Sequence, residues 1–560
     1  MNSKNPSTLE IALKAKLHHI HAVATDAGIR ADEIEAYGNY KAKVSLNTLV
    51  RLHTRPNGKL ICVSGITPTR EGDGKTCTSI ALTEALGLLK KKTMLCLREP
   101  SMAPIFGYKG GGTGGGRAQV LPMEDINFHF MGDMHAIQSA HNLLAATLEN
   151  HIHHGNSLGI DTDQIFWRRA MDISDRQLRE ITVGISKASR FSKHRTGFDI
   201  TAASEVMAAL SLSDSIRDFK NRLGKISVAL NKHGNLVTAK ELKTSGAMAL
   251  LTKDTLKPNL VQTLEGQPVF MHTGPFANVS HGNNSLVSTL LALKLANYVV
   301  TESGFATDLG LEKMFDIICR EGNLKPNVVV LVVSIKALKS HAKEDVAGRK
   351  FSESFSEGFA NLTKHLENVK KFGVPVVVAI NRFPQDTPDE IKAVRDYIQY
   401  EYENVECAVS EGVRLGGEGA LDLAEKVLKT LTDKPSQFKP FYSLEADVET
   451  KIHKLATGLY GASDVVYQDE AKDDLEMIHR LKLEHLPICM AKTPYSLSDN
   501  PNLKGAPTGW KLKINRIYPK TGAGFLVAVA GKTLLMPGLP EKPVLEDMDL
   551  TDAGEARGLF

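Results

Sequence analysis

The sequence predicts an α/β protein built on a mostly parallel central sheet. Near-continuous apolar runs at Val328 to Val333 and Val374 to Ile380 read as strands covered on both faces, and helical patterns separate successive runs. With roughly 150 residues to a domain, 560 residues leave room for more than one unit beside that sheet.

In chain order, Leu60 to Val63 (LICV) is the first short buried strand, and it ends at Ser64-Gly65. A glycine-containing stretch, TPTREGDGKT, follows. Small or apolar residues at Ser79, Leu82, Leu86 and Leu89 then fall at helical spacing, which predicts a helix over Lys75 to Leu89. Thr93 to Leu97 is the next strand, and Tyr298 to Thr301 joins the same class. Between them the pattern changes to long polar helices and a hairpin-like stretch, KISVALNKHGNLVTAKEL. The expected division is therefore residues 1–134 with 280–369 as a discontinuous nucleotide-binding unit, 135–279 as an inserted α/β unit, and 370–560 as a C-terminal α/β unit.

Composition narrows the function. The chain is 42% hydrophobic, 24% charged and 6% aromatic, as folded proteins are. A net charge of +4 is too small a field to argue for nucleic acid or an anionic membrane as partner, so any anion must be met locally. Cys62, Cys77, Cys96, Cys319, Cys407 and Cys489 are scattered singly, and no apolar stretch resembles a secretion signal or a membrane span, so a cytoplasmic, reducing setting is expected.

A strand, a glycine-rich turn and a helix in succession build a phosphate cradle, because backbone N–H groups at the helix start face the anion. Thr67, Pro68, Thr69, Gly72, Asp73, Gly74, Lys75 and Thr76 form the candidate ATP loop, Lys75 supplying charge and Thr76 a hydroxyl for Mg²⁺. The general pattern G-x-x-x-x-G-K-[ST] is met except that its first glycine is Thr69. Arg98 and Glu99 close the Thr93 to Leu97 strand, where ligands of open α/β sheets collect. By position alone they read equally as a surface ion pair, and Asp133 as a helix N-cap. A second glycine cluster, FGYKGGGTGGGRAQVLP from Phe106 to Pro122, suits a backbone that approaches a ligand or another backbone closely. His129, His135, His141, His151, His153 and His154 lack the spacing of a zinc site and read as ordinary surface and core residues.

The segments TPTREGDGKT, GYKGGGTGGGRAQVLPMEDINFHFMGD, NLVQTLEGQPVFMHTGPFANVSHGNNS, FGVPVVVAINRFPQDT and MAKTPYSLSD together resemble the formate–tetrahydrofolate ligase family, over nearly the whole chain. Thr69 is ordinary in that family's loop, T-P-T-x-x-G-x-G-K-T. Gly112, Thr113 and Arg117 depart from its glycine signature.

The resemblance implies a P-loop NTPase-like nucleotide domain and ATP-dependent formylation of tetrahydrofolate through formyl phosphate, with Mg²⁺. It implies that Arg98 grips formyl phosphate, that Lys75 stabilises the moving phosphoryl group, and that Glu99 and Asp133 line the site, one of them orienting Arg98 or assisting proton loss from N10. Phe383 matches one of two rings that sandwich the pterin. The second ring is missing: Val413 stands where the family has tryptophan, Arg414 follows, and Trp167 and Trp510 lie elsewhere. Weaker folate binding, or Arg414 stacking instead of an indole, is the expectation. A second signature is also altered, with Lys336 replacing an arginine and Ala342-Lys343 replacing two glycines. Homotetramers and activation by K⁺ or NH₄⁺ are implied by the resemblance alone. Two other readings stay open: a different P-loop ATPase that activates a carboxylate, with Asn381 reading the purine, and an ATP-binding scaffold that has lost folate use.

Overall fold

The computed structural model describes residues 6–107, 111–185, 193–341 and 355–559. A 12-stranded sheet organises the chain. Its main strands are β1 (Ile34–Tyr37), β2 (Lys41–Val44), β3 (Lys59–Gly65), β4 (Thr93–Leu97), β5 (Ala118–Leu121), β6 (Asn259–Thr263), β7 (Pro268–Met271), β8 (Tyr298–Glu302), β9 (Pro326–Val333), β10 (Val376–Asn381) and β11 (Glu406–Ser410). They lie in the order β1-β2-β6-β7-β4-β8-β3-β9-β10-β11, with β5 beside β6. Pairing is parallel from β7 through β11 and antiparallel at the β1-β2-β6 edge and between β6 and β7.

Strand alternation explains why these runs carry so few polar residues. Leu60 and Cys62 of β3 enter the apolar cluster on one face, while Ile61 and Val63 enter the cluster on the other. Helix α1 (Lys75–Leu88) packs on the second face and ends one residue before the expected Leu89. It is buried on its outer side too. Gly412 comes so close that a Cβ there would stand 2.3 Å from the Cβ of Ala81.

Two segments from outside the expected nucleotide-binding unit join the central sheet. Asn259–Met271, read as part of the inserted unit, supplies β6 and β7, because both strands are buried along their whole length and their backbone groups must pair inside a sheet. Residues 376–410, read as the start of the C-terminal unit, supply β10 and β11 at the far parallel edge. A separate four-stranded sheet follows, in the order Asp464–Tyr467, Lys511–Lys520, Phe525–Ala530, Ile488–Ala491. The inserted unit holds the long helix α2 (Asp133–His153) and the expected hairpin, Ser227–Asn231 paired antiparallel with Leu236–Thr238. Trp167 lies in its core. Among the described residues no helix is long and apolar enough to cross a membrane.

Candidate active site

The parallel strands all present their carboxyl ends on one side, and the candidate residues gather there. After β3 the chain turns through Thr67–Gly74 into α1. Gly74 is the N-cap, with φ +78°, a left-handed conformation that glycine adopts without strain. No side chain fits there in any case, since a Cβ would lie 2.1 Å from Asn381 Nδ2.

The loop is held from within. Asp73 accepts from the Thr69 N–H at 2.8 Å and from the Ser334 hydroxyl at 2.6 Å, and the Asn381 amide donates to the Asp73 carbonyl at 3.2 Å. Asp73, Thr67 and Pro68 are buried and shape the turn, whereas Gly72 is exposed and Gly74, Lys75 and Thr76 are partly open. Asn381 is buried, and its amide is engaged with the loop at the Asp73 carbonyl.

The Lys75 stem lies back across β3, so that a Cβ on Gly65 would meet its Cδ at 3.1 Å. Burial lowers the affinity of its amine for a proton, opposed by Glu302 and Asp73 and reinforced by Arg98. The Thr76 hydroxyl donates to Glu302 Oε2 at 2.6 Å, and Glu302 Oε1 lies 3.8 Å from an Arg98 guanidinium nitrogen. Arg98 also donates to the Pro275 carbonyl at 3.2 Å. Glu302, at the end of β8, is thus the carboxylate that faces Arg98, while the sequence pointed to Glu99 and Asp133 for that place. Its signal in the sequence is a carboxylate closing an apolar strand (YVVTE) beside the loop strand.

Glu99 and Asp133 meet on the far side of Arg98's strand end through Asn259. Asn259 Nδ2 lies 2.9 Å from Asp133 and 3.4 Å from Glu99. Lys43, buried on β2, donates to both Asp133 oxygens at 2.8 and 3.0 Å and to Asn259 at 2.8 Å. Nothing in the sequence singled out Lys43. Burial, then the charge of Asp133, push the Glu99 carboxyl well above the usual range, against the pull of Lys43. A cleft of about 190 Å³ brings Thr76, Arg98, Glu99, Gly112, Phe276 and Glu302 to one wall. Asp133 is sealed behind it.

The glycine cluster closes against this site by backbone approach. A Cβ on Gly112 would sit 2.6 Å from Pro100, one on Gly114 2.2 Å from the Ala118 carbonyl, and one on Gly116 2.1 Å from the Val413 carbonyl. Tyr108, Lys109 and Gly110 lie outside the described residues, as do Ala342 and Lys343. The Arg117 N–H donates to the Val413 carbonyl at 2.9 Å, so the glycines carry the Val413–Arg414 turn.

Phe383 is half-buried, with the Lys336 ammonium 5.9 Å from its ring centre and ion-paired to Glu71 at 2.9 Å. Val413 is 42% exposed, a free apolar face. Arg414 is ion-paired to Glu411 at 3.0 Å, and Arg382 meets the same oxygen at 3.4 Å. Glu411 therefore ties the Phe383 turn to the Val413 turn and pairs with the edge of the Arg414 guanidinium. The histidines do not converge: His141 is buried against Trp167 with ring centres 4.1 Å apart, and no group of three metal-binding side chains occurs among the described residues.

A helix N-terminus begun at a left-handed glycine and a lysine, next to a cleft that Thr76 and the Arg98 guanidinium line, suits a polyanion beside a small carboxylate. A family model described as formate–tetrahydrofolate ligase matches residues 6–560.

Proposed function

Since the chain belongs to the formate–tetrahydrofolate ligase family, an ATP-dependent ligase family, we propose that it forms 10-formyltetrahydrofolate through formyl phosphate. The observation that carries the reading is the convergence of Thr76, Arg98 and Glu302 on one cleft at the end of the glycine loop.

Formate and the terminal phosphoryl group are both anionic, so the first task is to hold them in line against repulsion. The Arg98 fork, oriented by Glu302, offers two parallel donors to such a pair, and Lys75 faces the charge that develops on the phosphoryl oxygens. A formate oxygen attacks phosphorus, forming the C–O–P anhydride as the bond to ADP breaks. N10 of tetrahydrofolate then attacks the carbonyl carbon, phosphate departs with that formate oxygen, and N10 loses a proton. Glu99 lines the cleft and is the better placed carboxylate to receive it, since Asp133 is paired with Lys43. The Thr76 hydroxyl beside the Glu302 carboxylate fits a hydrated Mg²⁺, which would supply charge neutralisation on the phosphate oxygens. Phe383 supplies one stacking face for the pterin, and Val413 with the stem of Arg414 the other. Homotetramers, activation by K⁺ or NH₄⁺ and a cytoplasmic setting belong to this proposal on family likeness alone.

The test is formate-dependent ADP release with and without tetrahydrofolate, using oxygen-labelled formate. Release that needs folate and leaves label in phosphate supports the route. Folate-independent release favours a different carboxylate-activating ATPase, and none at all a scaffold.

A further inference from the structure

Thr67 has each of its polar groups met by a buried side chain. Its N–H donates to His365 Nε2 at 2.9 Å and, more weakly, to Asn361 Oδ1 at 3.3 Å, and its hydroxyl lies 3.0 Å from the same His365 nitrogen. The Asn361 amide donates to that hydroxyl at 3.0 Å. His341 Nε2 lies 3.3 Å from the Thr67 carbonyl, while its Nδ1 accepts from the Gly505 N–H at 3.2 Å.

These contacts assign the tautomers. A backbone N–H can only donate, so His365 Nε2 carries a lone pair and the ring proton is on Nδ1. That proton is donated to Thr307 Oγ1 at 2.6 Å. The neighbouring Asp308 makes a buried ion pair with Lys492 at 2.7 Å, and Asn361 also donates to the Gly505 carbonyl at 2.8 Å. The start of the glycine loop is thus wired to the Lys492–Gly505 stretch, beyond the strand Ile488–Ala491 of the C-terminal sheet.

We propose that His365, as its neutral Nδ1–H tautomer, is a positioning residue for ATP: it fixes Thr67 and through it the loop amides that face the phosphates. This rests on the loop being the ATP site. Burial is the main force holding the imidazole down at about 4; His341 and Lys492 and, from its own helix, Lys364 act in the same direction, and Asp308 opposes them. The ring therefore stays neutral over the working pH range.

The experiment measures Mg-ATP binding to the full chain by calorimetry, together with kcat and the KM for ATP and for formate. His365→Leu removes the nearer acceptor of the Thr67 N–H and the partner of its hydroxyl, leaving only the longer contact to Asn361, and should weaken ATP binding about tenfold. KM for formate at saturating ATP should stay within about threefold, a split that a general loss of folded enzyme would not produce. His365→Gln, whose amide oxygen can accept from Thr67, should recover ATP affinity to within about threefold of the parent. Thr307→Val is isosteric and frees the tautomer, and should weaken ATP binding by an intermediate factor even if His365→Leu does not fold. ATP binding within twofold of the parent in a folded His365→Leu, or in Thr307→Val, would overturn the inference. A parent chain that fails to bind ATP at all would overturn the functional reading, and this one with it.

Discussion

Glu302 holds the Thr76 hydroxyl on one oxygen, at 2.6 Å, and faces Arg98 with the other, at 3.8 Å. One carboxylate thereby sets both the first turn of α1 and the guanidinium at the end of β4. Glu302→Gln keeps the volume and an acceptor for Thr76 while removing the charge opposite Arg98. Charge-assisted contacts contribute about 1.5–3 kcal/mol, so kcat for formate-dependent ADP release should fall roughly 10- to 100-fold, with an unchanged melting temperature. An unaltered kcat would reduce Glu302 to a structural part.

Lys43 and Asp133 form a pair with almost no solvent exposure, bridged to Glu99 by Asn259. Lys43→Met leaves a carboxylate uncompensated beside a second one and should cost about 3–5 kcal/mol in urea unfolding. Lys43→Met combined with Asp133→Leu should restore most of that stability. Additive losses in the double variant would show that the pair is not coupled.

Glu84 is fully buried on α1 under the Gly416–Gly417 turn, and burial, then Glu265, push its carboxyl up to about 9. Below its ordinary value of 4.5 both folded and unfolded chains hold the proton, and the site adds no pH dependence to stability. As pH rises the unfolded chain releases the proton and the folded one retains it, so stability is lost progressively toward pH 9. Glu84→Gln cannot ionise. Its stability advantage over the parent should grow by a few kcal/mol between about pH 5 and about pH 9, as read from urea midpoints. An offset that does not change with pH would contradict the assignment.

Val413 exposes its apolar face where the sequence resemblance implies an indole, and Arg414 is held by Glu411. Val413→Trp should lower the KM for tetrahydrofolate about fivefold, since an aromatic stacking face contributes roughly 1 kcal/mol beyond its area. Arg414→Ala should raise it by a smaller factor through the lost stem. Folate KM indifferent to both changes would remove this turn from the folate site.

Much of the site was legible because its parts are local. The strand, glycine turn and helix from Leu60 to Leu88 are specified by short-range pattern, and so are Lys75, Thr76 and Arg98 at the ends of their elements. Glu302, Lys43, Asn259 and His365 escaped notice for the opposite reason. Each acts on a partner tens to hundreds of positions away, and each alone looks like an ordinary polar residue.

What the sequence determined by itself was the alternation of buried strands with helices, the glycine loop between β3 and α1 and a likeness to a single family over nearly its full length, because periodicity, glycine placement and motif spacing are written along the chain. What only tertiary structure decided was which carboxylate faces Arg98, which face of the Phe383 and Val413 turns stays open, and which segments join the central sheet. Strand order set these, by placing β8 between β4 and β3 and by drawing Asn259–Met271 and residues 376–410 into the central sheet. Buried charges and backbone hydrogen-bond donors must find partners wherever the fold brings them, and those partners are not sequence neighbours.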